Sequence, residues 1–180
     1  HIDAMCEHLQ AVTNGEITRL LMNVPPGMMK SLLVSVFWPA WEWGARGLDH
    51  YRYVGVSHSK SIAIRDNLKM RRLVTSEWYQ DRFPNVVLTT DQDTKERFET
   101  TRTGFRRAAA ADKTTGDRGD RLIIDDPLSV ADAESDVIRK TAAKTFKETI
   151  QSRLNDPAKS AIVVIMQRLH EEDISGLIIE

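Results

Sequence analysis

Apolar positions recur at helical spacing over Ile2–Val12, where Met5, Leu9 and Val12 share one face, and Asn14-Gly15 closes the segment with C-terminal cap chemistry. The period then changes. Ile17–Val24 is a short β-compatible run ended by Pro25-Pro26, and Lys30–Trp43 returns to helical spacing before Gly44. Tyr51–Ser57 predicts a second strand and Lys60–Thr75 a basic amphipathic helix. Val86–Thr90 and Phe98–Ala109 predict strands, the latter folding back at Thr103-Gly104. After a polar loop over Asp112–Asp120, Arg121-Leu122-Ile123-Ile124 suits a strand buried on both faces and ended by Asp125-Asp126-Pro127. Ala133–Leu154 predicts one long polar helix, Asn155-Asp156-Pro157 a turn, and Ala161–Met166 a last buried strand stopping at Gln167-Arg168. Strands alternating with helices predict an α/β fold with a mainly parallel sheet flanked by helices.

Composition narrows the class. A chain of 180 residues with 41% apolar content is sized for one domain with an ordinary core. With 25 Lys and Arg against 26 Asp and Glu, no global positive field favours a polyanion, so any nucleic-acid contact must be local. The single cysteine, Cys6, excludes an intrachain disulfide and a Cys-x-x-Cys knuckle, and His170-Glu171-Glu172-Asp173 lacks His-Glu-x-x-His spacing. No apolar run reaches membrane-spanning length, and the chain's opening lacks the basic n-region and apolar h-region from which a signal peptide would be expected. A start at His1 and a stop within helical pattern at Leu177-Ile178-Ile179-Glu180 lead us to expect a piece of a longer protein.

In an open parallel sheet, ligands bind beyond the carboxyl ends of the strands. After the first strand, Pro25-Pro26-Gly27-Met28-Met29 leads into Lys30-Ser31 at a helix start. That is chemistry for a phosphate: loop N–H groups, an ammonium for the β/γ oxygens and a hydroxyl for Mg²⁺. The phosphate-loop pattern wants glycine where this chain has Val24 and Met29, and an ordinary helix start fits the segment as well. Asp125 and Asp126 end a different buried strand, the first suited to the Mg²⁺ shell and the second to polarising a water, although Asp-Asp-Pro is also common turn chemistry. Gln167 and Arg168 end a third strand. A rival reading takes Gly55-Val56-Ser57-His58-Ser59 as a nucleophile elbow with Asp125 and His170 in triad order, but Ser59 stands where glycine is wanted. Lys69, Arg71 and Arg72 suit either DNA phosphates or a solvated helix face, and Trp38, Trp41 and Trp43 suit core packing.

Taken together, Gly15-Glu16-Ile17 with Leu20–Ser31, Phe37–Gly44, Thr115–Asp120, Leu122–Pro127 and Gln167–Gly176 resemble the large terminase subunits of tailed double-stranded DNA bacteriophages, the ATPases that drive genome packaging. The resemblance implies an additional-strand, RecA-like P-loop NTPase domain over residues 1–180, without the family's nuclease domain. It implies Walker A residues Pro26, Gly27, Met28, Met29, Lys30 and Ser31 on ATP, Ser31 and Walker B Asp125 on Mg²⁺, Asp126 in the place of the catalytic glutamate, and Gln167 and Arg168 as the coupling motif. Where many members carry arginine before the lysine this chain has Gly27, so an arginine finger is expected from elsewhere, Arg118 between Gly116 and Gly119 being the candidate for action on a neighbouring subunit. Surface pairing of Arg118 with Asp117 or Asp120 is the alternative. Implied partners are double-stranded DNA, the portal protein, the small terminase subunit and further copies in a ring, in the host cytoplasm and at the procapsid. A helicase-like NTPase and a non-hydrolysing assembly module remain as alternatives.

Overall fold

In the computed structural model, residues 1–110 and 116–180 are described, 149–151 by backbone alone. A seven-stranded sheet runs in the order β1-β7-β6-β2-β5-β4-β3. Its strands are β1 (Arg19–Asn23), β2 (Arg52–Ser57), β3 (Leu88–Asp93), β4 (Arg97–Thr100), β5 (Phe105–Ala110), β6 (Arg121–Asp125) and β7 (Ala161–Met166). β1, β7, β6, β2 and β5 are mutually parallel, and β4 runs antiparallel to both β5 and β3. The last strand in sequence thus stands between the first and the sixth, the additional-strand arrangement expected of this α/β fold.

Every residue of β6 and β7 is buried, as their continuous apolar runs require. Strand alternation then divides two cores. Tyr53, Ile123, Val163 and Ile165 pack with α1 (Ile2–Thr13) and the helical segment 30–44, whereas Val54, Val56, Leu122, Ile124, Ile162 and Val164 meet Leu154 and Ile174 on the other face. Each fully buried aliphatic side chain contributes roughly 1.5–3 kcal/mol, which holds both layers on the sheet. Trp38 and Trp43 lie in the first core with Trp41 packed against it, and the Trp38 indole N–H donates to Thr13 Oγ1 at 3.0 Å.

The segment 30–44 is not a uniform helix. It begins as α2 (Lys30–Leu32), widens to a π-helical turn over Leu33–Phe37 and finishes as α3 (Trp38–Gly44). The Lys60–Thr75 expectation corresponds to α4 (Lys60–Val74). A short α5 (Glu77–Arg82) was not expected, although Ser76 caps it by accepting the Tyr79 N–H.

Two further expectations need correction. The strand predicted over Val86–Thr90 lies later, at Leu88–Asp93, because Val86 closes a turn by donating its N–H to Phe83 O. The long helix predicted over Ala133–Leu154 is broken into α6 (Val130–Ala133), α7 (Asp136–Thr145), a π turn over Phe146–Ile150 and a 3₁₀ turn over Gln151–Arg153. Ser129 caps α6 through the Asp132 N–H, and Ser135 takes extended backbone ahead of α7, so serine chemistry interrupts the apolar period. Of the loop expected over Asp112–Asp120, residues 112–115 lie outside those described. The hairpin bend is where it was expected, with Thr103 left-handed at φ 67°. Finally, α8 (Ile174–Ile179) follows β7, and among the described residues no helix is long and apolar enough to cross a membrane.

Candidate active site

Parallel register brings the ends of four strands together: Asn23 pairs with Met166, Ile165 with Asp125, and Asp125 with Ser57. The loop after β1 overhangs this edge. Gly27 (φ 79°) and Met29 (φ 59°) are left-handed while Met28 and Lys30 are not, an alternation that turns successive N–H groups toward one side. Met29 occupies one of the positions where the phosphate-loop pattern has glycine, at a backbone cost of order 1–3 kcal/mol. The first helical bond of α2 runs from Leu33 N–H to Met29 O at 2.9 Å, leaving the preceding N–H groups outside the ladder.

Adjacent residues on the helix meet adjacent residues on the strand. Lys30 Nζ lies 3.0 Å from Asp126 Oδ2, with the lysine side chain 9% exposed. Ser31 Oγ donates to Asp125 Oδ1 at 2.9 Å, and Ser35, one turn further on, donates to Asp125 Oδ2 at 3.0 Å. Burial pushes the Asp125 carboxyl up to about 6, the Asp126 charge adds to the rise, and the two serine hydroxyls oppose it.

Asp126 is held from every side. Its N–H donates to Ile165 O at 3.0 Å, its Oδ1 accepts the Gln167 N–H at 3.0 Å, and its carbonyl accepts from His58 N–H at 3.2 Å and His58 Nδ1 at 2.8 Å. The residue is itself left-handed, at φ 43°. Only three non-glycine residues among those described have positive φ, and two of them, Met29 and Asp126, are in this site.

Of the residues singled out in the sequence, Lys30, Ser31, Asp125 and Asp126 are therefore brought into contact, Gln167 joins them through its backbone, and Pro26, Gly27, Met28 and Met29 form the exposed loop above. Two others stand apart. Arg168 folds into its own turn, donating to His170 O at 3.2 Å and Glu171 O at 3.0 Å. Arg118 precedes β6, at the opposite edge of the sheet from Asp125, roughly 20 Å away by strand rise.

The alternative pairing for Arg118 does not form. Asp117 is engaged by Arg97 and Arg107, and Asp120 accepts from Arg52 N–H and Asn155, which leaves Arg118 exposed with no side-chain partner among the described residues. The hydrolase reading is overturned as well. Ser57 is 1% exposed, His58 is turned to the Asp126 carbonyl, and His170 Nδ1 accepts the Glu172 N–H. Lys69 and Arg71 are engaged within the fold by Asp66 and Asp93.

Ser35, His58 and Arg106, which donates to Ser35 O at 3.2 Å, were not singled out for this site. Ser35 had a readable signal, since it lies four residues after Ser31 and so on the same helical face. Arg106 had a fainter one, as the first of two adjacent cations in an otherwise apolar strand and the one whose alternation places it with the buried positions.

No family model matches the chain, and no curated protein matches it by sequence. Among solved structures, the fold is similar to that of the HK97 bacteriophage large terminase, with a TM-score of 0.58 at 13% identity. The likeness covers 94% of this chain and 34% of that one, so the chain spans about a third of the terminase's length and shares a terminase-like fold.

Proposed function

We propose that the chain is a magnesium-dependent ATPase, and that its 180 residues form the ATPase part of a motor moving double-stranded viral DNA into a procapsid. The observation that carries the chemistry is the paired contact in which Lys30 meets Asp126 and Ser31 meets Asp125 beneath a loop with left-handed turns. The motor role is supported by the motif resemblance and by the terminase-like fold.

The donor set suits Mg²⁺: a hydroxyl and a buried carboxylate, both hard oxygen donors, with no ion pair made to that carboxylate among the described residues. Ser31 and Asp125 would hold the ion, which when bound supplies charge stabilisation of the phosphate oxygens. The loop N–H groups of 27–31 and the Lys30 ammonium bind the phosphates. Lys30 must leave Asp126 Oδ2 to reach them, and that departure frees the carboxylate to orient a water and accept its proton. The nucleotide itself therefore unmasks the base. Gln167 holds the other Asp126 oxygen in place through its N–H and stands between the site and the turn built by Arg168.

Arg118, too far from its own Asp125 and free at the opposite edge, is assigned to the site of a neighbouring copy in a ring. The portal protein, the small terminase subunit and DNA are the remaining partners in this reading, which places the chain in the host cytoplasm and at the procapsid during packaging. Calorimetric titration with ATP and MgCl₂ is the test. Saturable binding weakened roughly 10–100-fold in Lys30→Ala supports the reading, and equal binding by the variant and the wild type removes it.

A further inference from the structure

Behind the site lies a buried cation that the chemistry above does not use. Arg106 on β5 is 2% exposed. Burial brings its guanidinium down to about 10, against the opposing charges of the Asp66 and Asp125 carboxylates, so it remains charged at neutral pH. Gly55 makes room for it, because a Cβ there would stand 2.5 Å from Arg106 Nη2. Arg106 is the register partner of Tyr53, two residues before Gly55, so its side chain crosses over Gly55 toward the site end of the sheet. Nη2 donates to Ser35 O at 3.2 Å, while Nε and Nη1 have no hydrogen-bond partner among the described residues.

Helix chemistry explains why that carbonyl is available. In a regular α-helix Ser35 O accepts the N–H of residue 39, but residue 39 is proline, which has no N–H and whose ring crowds the same carbonyl. The helix widens to a π turn over Leu33–Phe37, and the displaced carbonyl turns to Arg106. The Ser35 hydroxyl, from the same residue, donates to Asp125 Oδ2.

We propose that Arg106 is a positioning residue for the metal-nucleotide site: by satisfying the Ser35 carbonyl that Pro39 leaves without a donor, it sets the turn from which the Ser35 hydroxyl fixes Asp125. With Oδ2 held by Ser35, Oδ1 faces Ser31. This inference rests on the nucleotide reading above, and it adds to that reading a specific coupling between Arg106 and Pro39. In Pro39→Ala the new N–H can satisfy Ser35 O, so the need for Arg106 disappears.

The experiment measures ATP binding to the 180-residue chain across a magnesium series and again in EDTA. Arg106→Met is expected to raise the half-saturating Mg²⁺ concentration roughly 10–100-fold while metal-free ATP affinity changes by less than about twofold. A merely structural role would weaken both together. The double variant Pro39→Ala/Arg106→Met is expected to return the Mg²⁺ requirement to within about threefold of wild type. Wild-type magnesium dependence in Arg106→Met, or no recovery in the double variant, overturns the proposal. Should Arg106→Met fail to fold, Gly55→Ala keeps the arginine but displaces its guanidinium and carries the same expectation, with an unchanged Mg²⁺ requirement again overturning it. Wild-type protein that binds no nucleotide rejects the underlying reading as well, whereas a binding wild type with an indifferent Arg106→Met rejects this inference alone.

Discussion

At the beginning of the parallel strands, Arg121 of β6 and Glu42 of α3 are buried together, their side chains 3% and 0% exposed. Arg121 donates to Glu42 through Nε and through Nη2 at 2.9 Å, and the Tyr53 hydroxyl donates to the same carboxylate. The guanidinium also lies over Tyr51, 4.8 Å from the ring centroid. At the other end of the same sheet face the arrangement is open. Among the described residues, Ser57 Oγ and two nitrogens of Arg106 lack hydrogen-bond partners, and the hydrogen bonds to the Asp125 carboxylate come from hydroxyls. Buried polar groups in a settled core are almost always paired, so the closed cluster reads as architecture and the open one as a place kept for a ligand. Charge and burial are alike in these two clusters, and completeness of hydrogen bonding within each separates them, while the neighbouring Asp49 carboxylate, ion-paired with Arg102, belongs to neither.

The comparison is broken or sharpened by substitutions at each end. The largest effect is expected at Asp126. Asp126→Asn should cut turnover roughly 10²–10⁴-fold, read by single-turnover hydrolysis, while ATP affinity is kept or raised because Lys30 is released from its partner. Turnover and affinity lost together would show that Asp126 belongs to binding.

Next comes the closed end, where Arg121→Met leaves Glu42 buried without its cation. A loss of about 3–5 kcal/mol in chemical denaturation is expected, with ATP affinity unchanged in the molecules that remain folded. A small loss would mean that the closed cluster is no more structural than the open one.

A smaller effect of opposite sign is expected at Asp125. Its carboxyl stands at about 6 in the folded protein against an ordinary 3.8, so between those values the native state holds a proton that the unfolded chain has released. Metal-free stability therefore falls as pH rises from about 4 to about 6 and stays low above that. Asp125→Asn should remove this slope and stabilise the metal-free protein by about 1–3 kcal/mol at pH 8, with Mg²⁺-dependent binding lost. Thermal melts across pH decide it, and a variant less stable than wild type at pH 8 would show that the open end is already satisfied.

The smallest effect is expected at Met29, where glycine relieves the left-handed backbone. Met29→Gly should leave the fold intact, change stability by no more than about 1 kcal/mol and preserve or tighten ATP binding. Weaker binding would mean that the methionine side chain itself contributes to the loop.

Much of this was legible in the chain because burial on both faces of a parallel strand imposes an unbroken apolar run. Leu122–Ile124 and Ala161–Met166 could therefore be placed as central strands, and the polar residues following them as the edge where a ligand would sit. Lys30-Ser31 and Asp125-Asp126 were found by that rule, since their chemistry is local to a strand end and a helix start. Local pattern failed where short-range caps competed with helical period, as at Ser129 and Ser135, because one side-chain hydrogen bond outweighs a weak propensity.

Only the tertiary structure paired Lys30 with Asp126 and Ser31 with Asp125, residues more than ninety positions apart, and only it separated Arg118 from the site. It alone joined Pro39, Ser35 and Arg106, because the proline's missing donor is a local fact whereas the cation that answers it arrives from another strand through the space left by Gly55. The sequence by itself determined which groups stand at the sheet edge, through periodicity and backbone chemistry. Their partners, their strain and their degree of satisfaction came from strand order and register, which no local pattern encodes.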